Sequence, residues 1–222
     1  MKKELKSFFK TEIILVLVLL LFLGAAFILN FIRYIKAEER YKKGVEDSVS
    51  AITIFREAQR YLMDNYRENG EIKTSVIMDE LVGKSYLTNY SEHEAEIKVK
   101  GDEPLVEYVV YNEVRYPSEN STHKEEAAFI RKMDLEYGGG SMADYYYNGI
   151  MSILVWYAAD NYLKDCIAKG EEILENIGCE ELYKKGWLKE NIDAPEKIKI
   201  IVNKEEKRIE KVEAGETEYP HE

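Results

Sequence analysis

The sequence has few of the residues that build metal centres and disulfide frameworks. The chain of 222 residues contains two cysteines and three histidines. Two cysteines cannot form a structural zinc site alone, and no CxxC pair is present. The sequence also lacks an HExxH motif, a DxDxDG calcium loop and a GxSxG nucleophile motif. It therefore predicts no metal, no cofactor and no catalytic site, and we expect a protein that is not an enzyme.

Positive charge is also scarce. The chain has 42 acidic residues against 31 lysines and arginines, which gives a net charge of −11 at pH 7. No basic stripe offsets this charge, and an acidic surface repels phosphate groups. Nucleic acid is therefore not an expected partner. Because carboxylates are so abundant, their chance proximity carries no information, and a solvated acidic face is the ordinary interpretation.

The two cysteines, Cys166 and Cys179, allow two interpretations. They are either buried thiols or, if this part of the chain lies in an oxidising compartment, the partners of a disulfide that closes a short loop. The sequence leaves both possibilities open.

One long apolar block dominates the amino-terminal part of the chain. Residues 13–32, IILVLVLLLFLGAAFILNFI, carry no charge. About 20 residues at about 1.5 Å each form a helix of about 30 Å, the thickness of a bilayer core. The sequence therefore predicts a single-pass membrane-spanning helix over residues 8–36, with the lipid bilayer as a partner. A short amino-terminal tail is most easily left in the cytoplasm, which would place residues 33–222 outside it.

A more specific pattern, SFFKTE at residues 7–12, directly precedes the apolar block. It resembles the start of type IV pilins and pseudopilins, in which a short basic leader is cut before an aromatic residue. The resemblance implies a leader of residues 1–7, cleaved by a prepilin peptidase between Ser7 and Phe8. It also implies that Glu12 acts in filament assembly by neutralising the free amine of a neighbouring subunit. From the residues alone, Glu12 is also explained as an interfacial carboxylate that lipid headgroups and water hydrate.

The chain beyond the apolar block predicts an α+β head. Apolar residues recur at helical spacings up to about Tyr66, and Asn69 and Gly70 are typical of a helix end. A short helix at residues 78–82 is expected next, followed by a hairpin whose return strand is residues 106–111. This order, with the stretch DELVGKSYL before the first strand, also resembles pilins, whose long first helix packs on an antiparallel sheet.

The second half of the chain echoes the first. Residues 60–87 can be laid beside residues 161–188 with one gap, and the two strand-like segments downstream follow at the same offset. The sequence therefore predicts two tandem pilin-like helix-plus-hairpin modules, with a linker between them and a flexible tail. The predicted bounds are 37–116 for the first module, 117–141 for the linker, 142–213 for the second module and 214–222 for the tail.

The helix of the second module, at about residues 144–169, contains the apolar run IMSILVWYAA. This run is too short to cross a bilayer, so we expect it to be buried against the second sheet. An interfacial helix or a partner surface around Trp156 and Tyr157 is the alternative. Residues 145–147 are three tyrosines, which either stack on a sugar or a base or, as their place before an apolar helix favours, pack inside the protein.

Two classes of function follow from these observations. The first is a structural subunit, a minor pilin-like or pseudopilin-like component of a type IV pilus, a type II secretion filament or a DNA-uptake filament. Its partners would be other pilin-like subunits, the assembly machinery and the prepilin peptidase. The second is a single-pass membrane-anchored binding or accessory protein outside the cytoplasm that is unrelated to filaments.

Overall fold

The computed structural model of the chain describes most of its backbone. The described residues are 2–88, 90, 94–137, 142–173, 176–192 and 195–220. Side chains are described from residue 27 onward within these ranges, except for residues 133–137 and 142.

The described chain forms five α-helices, one short 3₁₀ helix and six strands. The helices are α1 (Lys2–Asn69), α2 (Met78–Gly83), α3 (His123–Tyr137), α4 (Met142–Lys169), α5 (Cys179–Lys184) and the 3₁₀ helix Pro195–Lys197. The strands are β1 (Glu96–Val99), β2 (Val106–Tyr111), β3 (Val114–Tyr116), β4 (Ile198–Asn203), β5 (Arg208–Ala214) and β6 (Thr217–Tyr219). The fold class is thus α+β, with two small antiparallel sheets in the orders β1-β2-β3 and β4-β5-β6.

The chain divides into two compact units, residues 1–46 and residues 47–222. The first unit is helical and belongs to α1. The second unit contains the rest of α1 and every other element, and one continuous cluster of buried side chains runs through it. The two predicted modules therefore share a single core.

The structure contradicts one part of the predicted fold class, the membrane-spanning helix. A search of the described residues finds no helix that is both long and apolar enough to cross a bilayer. Among the residues of α1 whose side chains are described, which begin at Phe27, the apolar part is short because Arg33 and Lys36 interrupt it. Residues 8–26 of the predicted span lie outside the residues whose side chains are described.

The end of α1 follows the signals in the sequence. The helix ends at Asn69, and Gly70 adopts a φ of 70°, in the left-handed region that glycine enters without a steric penalty. The Gly70 amide donates a hydrogen bond of 2.8 Å to the carbonyl oxygen of Tyr66 and so closes the last turn. Gly170 plays the same part after α4, with a φ of 72°.

The structure repeats the same order of elements twice. The first repeat consists of the later part of α1, α2 and β1–β3, and the second consists of α4, α5 and β4–β6. The turn after each short helix is built alike. Leu87 donates its amide to the Leu81 carbonyl at 3.2 Å, and Leu188 donates to the Leu182 carbonyl at the same distance.

Equivalent aromatic contacts join helix to sheet in both repeats. The ring of Phe55 on α1 meets Tyr116 on β3 edge-on, with centroids 5.2 Å apart. Trp156 on α4 meets Tyr219 on β6 in the same way at 5.6 Å. Each repeat therefore anchors the last strand of its sheet to its own helix.

The strand alignment predicted from the sequence is wrong by two residues. In the structure Val109 pairs with Tyr116, and Val212 pairs with Tyr219, so Val109 is equivalent to Val212. The predicted alignment placed Val109 beside Glu210. The second repeat has two more residues between Leu188 and Val212 than the first has between Leu87 and Val109, and the 3₁₀ helix lies in this segment. Since side chains alternate with a period of two, a shift of two residues preserves the pattern and escapes detection.

The predicted flexible tail is also corrected. Residues 217–219 form β6, and Tyr219 is only 1% exposed. Each predicted hairpin thus gains a third strand, β3 in the first sheet and β6 in the second. These strands have three residues each, too few to show a clear alternation in the sequence.

Candidate functional site

A contiguous group of exposed apolar side chains lies on α1 in the first unit. We call residues 27–35 the apolar stretch. Its large exposed side chains are Phe27 (73%), Ile28 (58%), Leu29 (58%), Phe31 (56%), Ile32 (44%), Tyr34 (67%) and Ile35 (39%). Because successive residues are rotated by about 100° around a helix, these side chains cover about 220° of its circumference, and Asn30 and Arg33 occupy the remaining sector.

This exposure is energetically unfavourable in water. Burying one large aliphatic or aromatic side chain is worth about 1.5–3 kcal/mol relative to leaving it exposed. A helix with an apolar face this wide is normally packed against other apolar surfaces. The apolar stretch is therefore a candidate contact surface, and its contiguity distinguishes it from single exposed residues such as Ile77.

A groove in the second unit is the second candidate surface. The first-repeat groove, as we call it, lies between α1, β3 and α3 and has a volume of about 280 Å³. Its walls are mainly apolar, with Ile52 from α1, Val114 from β3, and Phe129 and Ile130 from α3. Ile52 and Ile130 are buried, whereas Phe129 is 51% exposed at the rim.

Local hydrogen bonds fix the helix that forms one wall of this groove. Thr122 precedes α3, and its hydroxyl accepts a hydrogen bond from the Glu125 amide at 3.2 Å. The Glu125 carboxylate in turn accepts the Thr122 amide at 2.8 Å, which completes a capping box. These hydrogen bonds from Thr122 lower the pKa of Glu125. Further along α3, Arg131 pairs with Asp144 on α4 at 2.5 Å.

The floor of the groove holds an arginine with an unused donor. The Arg115 guanidinium lies over the Tyr108 ring, 3.9 Å from its centroid, and its Nη1 is 3.4 Å from Glu119. Its Nε is buried and has no hydrogen-bond acceptor among the described residues. The charged side chains that line the groove are therefore one cation, Arg115, and the two carboxylates of Glu125 and Glu126 at the α3 wall.

A smaller cleft of about 150 Å³ separates the two repeats. Phe55 from the first repeat and Leu154 and Trp187 from the second line it. Lys189 donates to both carboxylate oxygens of Glu103, at 3.0 and 3.1 Å, and this ion pair links the repeats at the edge of the cleft.

His123 lies against this cleft at the start of α3. Its Nδ1 is 3.0 Å from the hydroxyl of Tyr116, and its ring is 5.0 Å from that of Phe55. Burial, with a smaller contribution from the positive charge of Lys100, lowers the pKa of His123 to about 4. The histidine is therefore neutral near pH 7, and it acts as a packed aromatic group rather than as a cation.

The contacts described above do not include the residues predicted to act in leader cleavage and filament assembly. Ser7, Phe8 and Glu12 lie outside the residues whose side chains are described. His93 and His221 also lie outside the described residues.

The two cysteines are buried and free in the structure rather than joined in a disulfide. Burial raises the pKa of Cys179 to about 11, so its thiol stays protonated near neutral pH. Among the described residues, no group of three or more histidine, cysteine, aspartate or glutamate side chains is placed to hold a metal ion.

The three consecutive tyrosines divide between packing and exposure. Tyr146 and Tyr147 are buried, as the packing interpretation predicts. Tyr145 is 44% exposed, but the Arg56 guanidinium lies over its ring, 4.8 Å from the centroid. The tyrosines thus contribute to the contact between α1 and α4.

Neither the first-repeat groove nor the cleft could be predicted from the sequence. Both depend on β3 and on the position of α3, neither of which the periodicity specified. The one available signal was the paired Tyr-Pro sequence at residues 116–117 and 219–220, which marks the ends of the equivalent strands β3 and β6. Both Tyr-Pro peptide bonds are cis.

Comparison with known proteins gives no relatives for this chain: no family model, no curated protein and no solved structure matches it.

Proposed function

We propose that the chain is a structural subunit of a filament of the pilin or pseudopilin kind, which assembles through α1. The observation that carries the proposal is the apolar stretch of residues 27–35, whose large apolar side chains are exposed over more than half of the circumference of the helix. A surface of this kind is stabilised when several similar helices surround it. A minor subunit of a type IV pilus, a secretion filament or a DNA-uptake filament is the specific form that the amino-terminal resemblance favours.

The leader and Glu12 belong to the same proposal. Cleavage between Ser7 and Phe8 would create a new amino terminus, and the Glu12 carboxylate would neutralise the amine of a neighbouring subunit. Mass spectrometry of the mature protein tests the first step: a mature chain that starts at Phe8 supports it, and an intact Met1 contradicts it. The variant Glu12→Ala tests the second step, since it should accumulate as unassembled protein.

A matched pair of substitutions tests the role of the apolar stretch. Ile28 and Ile77 are exposed to almost the same degree, 58% and 57%, but only Ile28 lies in the stretch. We expect Ile28→Glu to reduce assembly at least tenfold, because a carboxylate would enter the apolar contact between helices. Ile77→Glu should leave assembly unchanged.

Assembly is measured on the full-length protein as the fraction that sediments as filaments, with electron microscopy of the pellet. Equal assembly of the two variants would show that the stretch is not the contact surface. A wild-type chain that never forms filaments with its assembly machinery present would overturn the proposed function.

A further inference from the structure

The two repeats contain grooves of the same construction. In each, the side chains come from the repeat's helix and from the last strand of its sheet. The first-repeat groove uses Ser48, Ile52, Val114 and Tyr116, and the second-repeat groove uses Gly149, Ile153, Thr217 and Tyr219 at the equivalent positions. The fold therefore presents a similar concave surface twice.

The chain fills the second-repeat groove with its own α1. Arg56, Glu57 and Arg60 of α1 line this groove opposite α4 and β6, and only about 70 Å³ remains open. The Cδ of Arg56 lies 3.0 Å from the position that a Cβ on Gly149 would take. This close contact shows that a helix lying along the groove is accommodated by the repeat.

The first-repeat groove is covered on one side only. α3 supplies Phe129 and Ile130, and about 280 Å³ stays open. An apolar cavity of about 150 Å³ takes a benzene ring, so this groove has room for an aromatic ring and a second apolar side chain.

We infer that the first-repeat groove receives α1 from a second copy of this chain, through the face that Ile28, Phe31, Ile32 and Ile35 share. The inference rests on the proposed function and names the partner surface of the apolar stretch. These four residues have the spacing i, i+3, i+4 and i+7 that helices use when they bind in apolar grooves. All four are exposed, so they are available for such a contact.

Charge complementarity favours this occupant. Glu125 and Glu126 lie at the α3 wall of the groove. Lys36 directly follows the apolar stretch. It borders the face of Ile32 and Ile35, one turn beyond Ile32. Glu125 remains ionised at neutral pH because hydrogen bonds from Thr122 lower its pKa. Pairing the lysine with this acidic wall would fix the direction of the incoming helix.

Disulfide trapping between two differently tagged copies tests the inference. One copy carries Phe31→Cys and the other carries Phe129→Cys, and the two are assembled together and mildly oxidised. In a random assembly of equal amounts of the two copies, about half of the protein is the upper limit for this disulfide, and we expect it in at least about a quarter of the assembled protein. The native cysteines are buried and should not compete. In the matched control, the second copy carries Tyr183→Cys instead of Phe129→Cys. Tyr183 lies on α5 and is 44% exposed, and we expect at least tenfold less disulfide-linked dimer.

The possible outcomes separate the inference from the proposed function. Filaments that form without the disulfide between positions 31 and 129, or with equal trapping at position 183, overturn the inference and leave the filament proposal intact. Failure of the wild-type chain to assemble overturns both. Tryptophan fluorescence during urea unfolding checks that each cysteine variant keeps the midpoint of the wild-type protein.

Discussion

At the scale of single residues, His123 makes the stability of the fold depend on pH. Its pKa is lowered to about 4 in the folded protein, from an ordinary value of 6.5. The unfolded chain therefore takes up a proton between pH 6.5 and 4, while the folded protein does not. The contribution of His123 to stability is complete above pH 6.5 and is lost as the pH falls towards 4, by up to about 3 kcal/mol.

The variant His123→Gln provides the matched measurement, because glutamine accepts a hydrogen bond but does not titrate in this range. The free energy of unfolding in urea is measured for both proteins at pH 7.5 and at pH 5. Between these values we expect the wild-type protein to lose about 2 kcal/mol more than the variant. Glu190, whose pKa burial raises, and other carboxyl groups titrate in both proteins and cancel in the comparison. An equal loss in both would show that His123 is not the titrating group.

Gly215 is a second residue whose replacement has a specific cost. It begins the turn between β5 and β6 with a φ of 59°, and an added Cβ would lie 2.5 Å from the Asn148 side-chain nitrogen. We expect Gly215→Ala to destabilise the protein by about 2–3 kcal/mol, through backbone strain and the clash together.

Gly70→Ala is the control for the backbone contribution, since Gly70 has a φ of 70° and no atom within 4 Å of an added Cβ. Its expected cost is about 1 kcal/mol. Urea unfolding midpoints distinguish the two variants. Equal destabilisation would mean that Asn148 moves aside and that only the backbone strain remains.

At the scale of elements, the contact between α1 and β2 depends on one buried amide. Gln59 donates from its Nε2 to the Pro104 carbonyl at 2.9 Å, and its Oε1 accepts the Val106 amide at 2.9 Å. The residue is completely buried. Gln59→Leu has a similar volume but leaves both backbone groups without a partner, which should cost about 2–4 kcal/mol.

Asn65→Ala is the matched control. The side-chain amide of Asn65 also donates a hydrogen bond to a backbone carbonyl, that of Glu71, but this bond is exposed. Water replaces such a bond, so we expect a change of at most about 0.5 kcal/mol. The free energies of unfolding from urea titrations give both values. A small effect of Gln59→Leu would show that water reaches the Pro104 and Val106 backbone groups.

A comparison of the observed helices and strands with the predicted ones shows what the sequence could predict. Periodicity and terminators predicted the end of α1, the position of α4 and the whole of β2, because each has enough residues to show a pattern. They failed where the signal is short or degenerate. β3 and β6 have three residues each, and a register error of two residues leaves every side chain on its face. The membrane-spanning prediction relied on residues 13–32, most of whose side chains lie outside the described part of the chain.

The candidate surfaces were even less predictable from the sequence. The composition of residues 27–35 revealed an apolar segment, but not that its large side chains would be exposed in the structure. The first-repeat groove needs β3, α1 and α3 to meet, and these contacts join residues far apart in the chain. Contacts of this kind follow from packing in three dimensions, which local periodicity does not encode.

At the scale of the whole molecule, the shared core predicts that the two repeats unfold together. Asp64 on α1 accepts hydrogen bonds from Tyr86 of the first repeat, at 2.7 Å, and from Tyr219 of the second, at 2.8 Å. The edge-on contact of Tyr66 with Tyr157 adds a second link, with ring centroids 5.8 Å apart. Loss of one repeat would therefore expose apolar surface and leave unpaired polar groups on the other.

The positions of the two tryptophans allow this cooperativity to be measured. Trp156 and Trp187 both lie in the second repeat, although Trp187 also lines the cleft between the repeats, whereas Gln59 lies in the first. For Gln59→Leu we expect the urea midpoint from tryptophan fluorescence to fall as far as the midpoint from far-ultraviolet circular dichroism. The physical reason is that a loss of about 2–4 kcal/mol in one part of a cooperative unit destabilises the whole unit. If the fluorescence midpoint stayed at its wild-type value while the dichroism midpoint fell, the repeats would unfold independently, and the contacts of Asp64 and Tyr66 would not couple them.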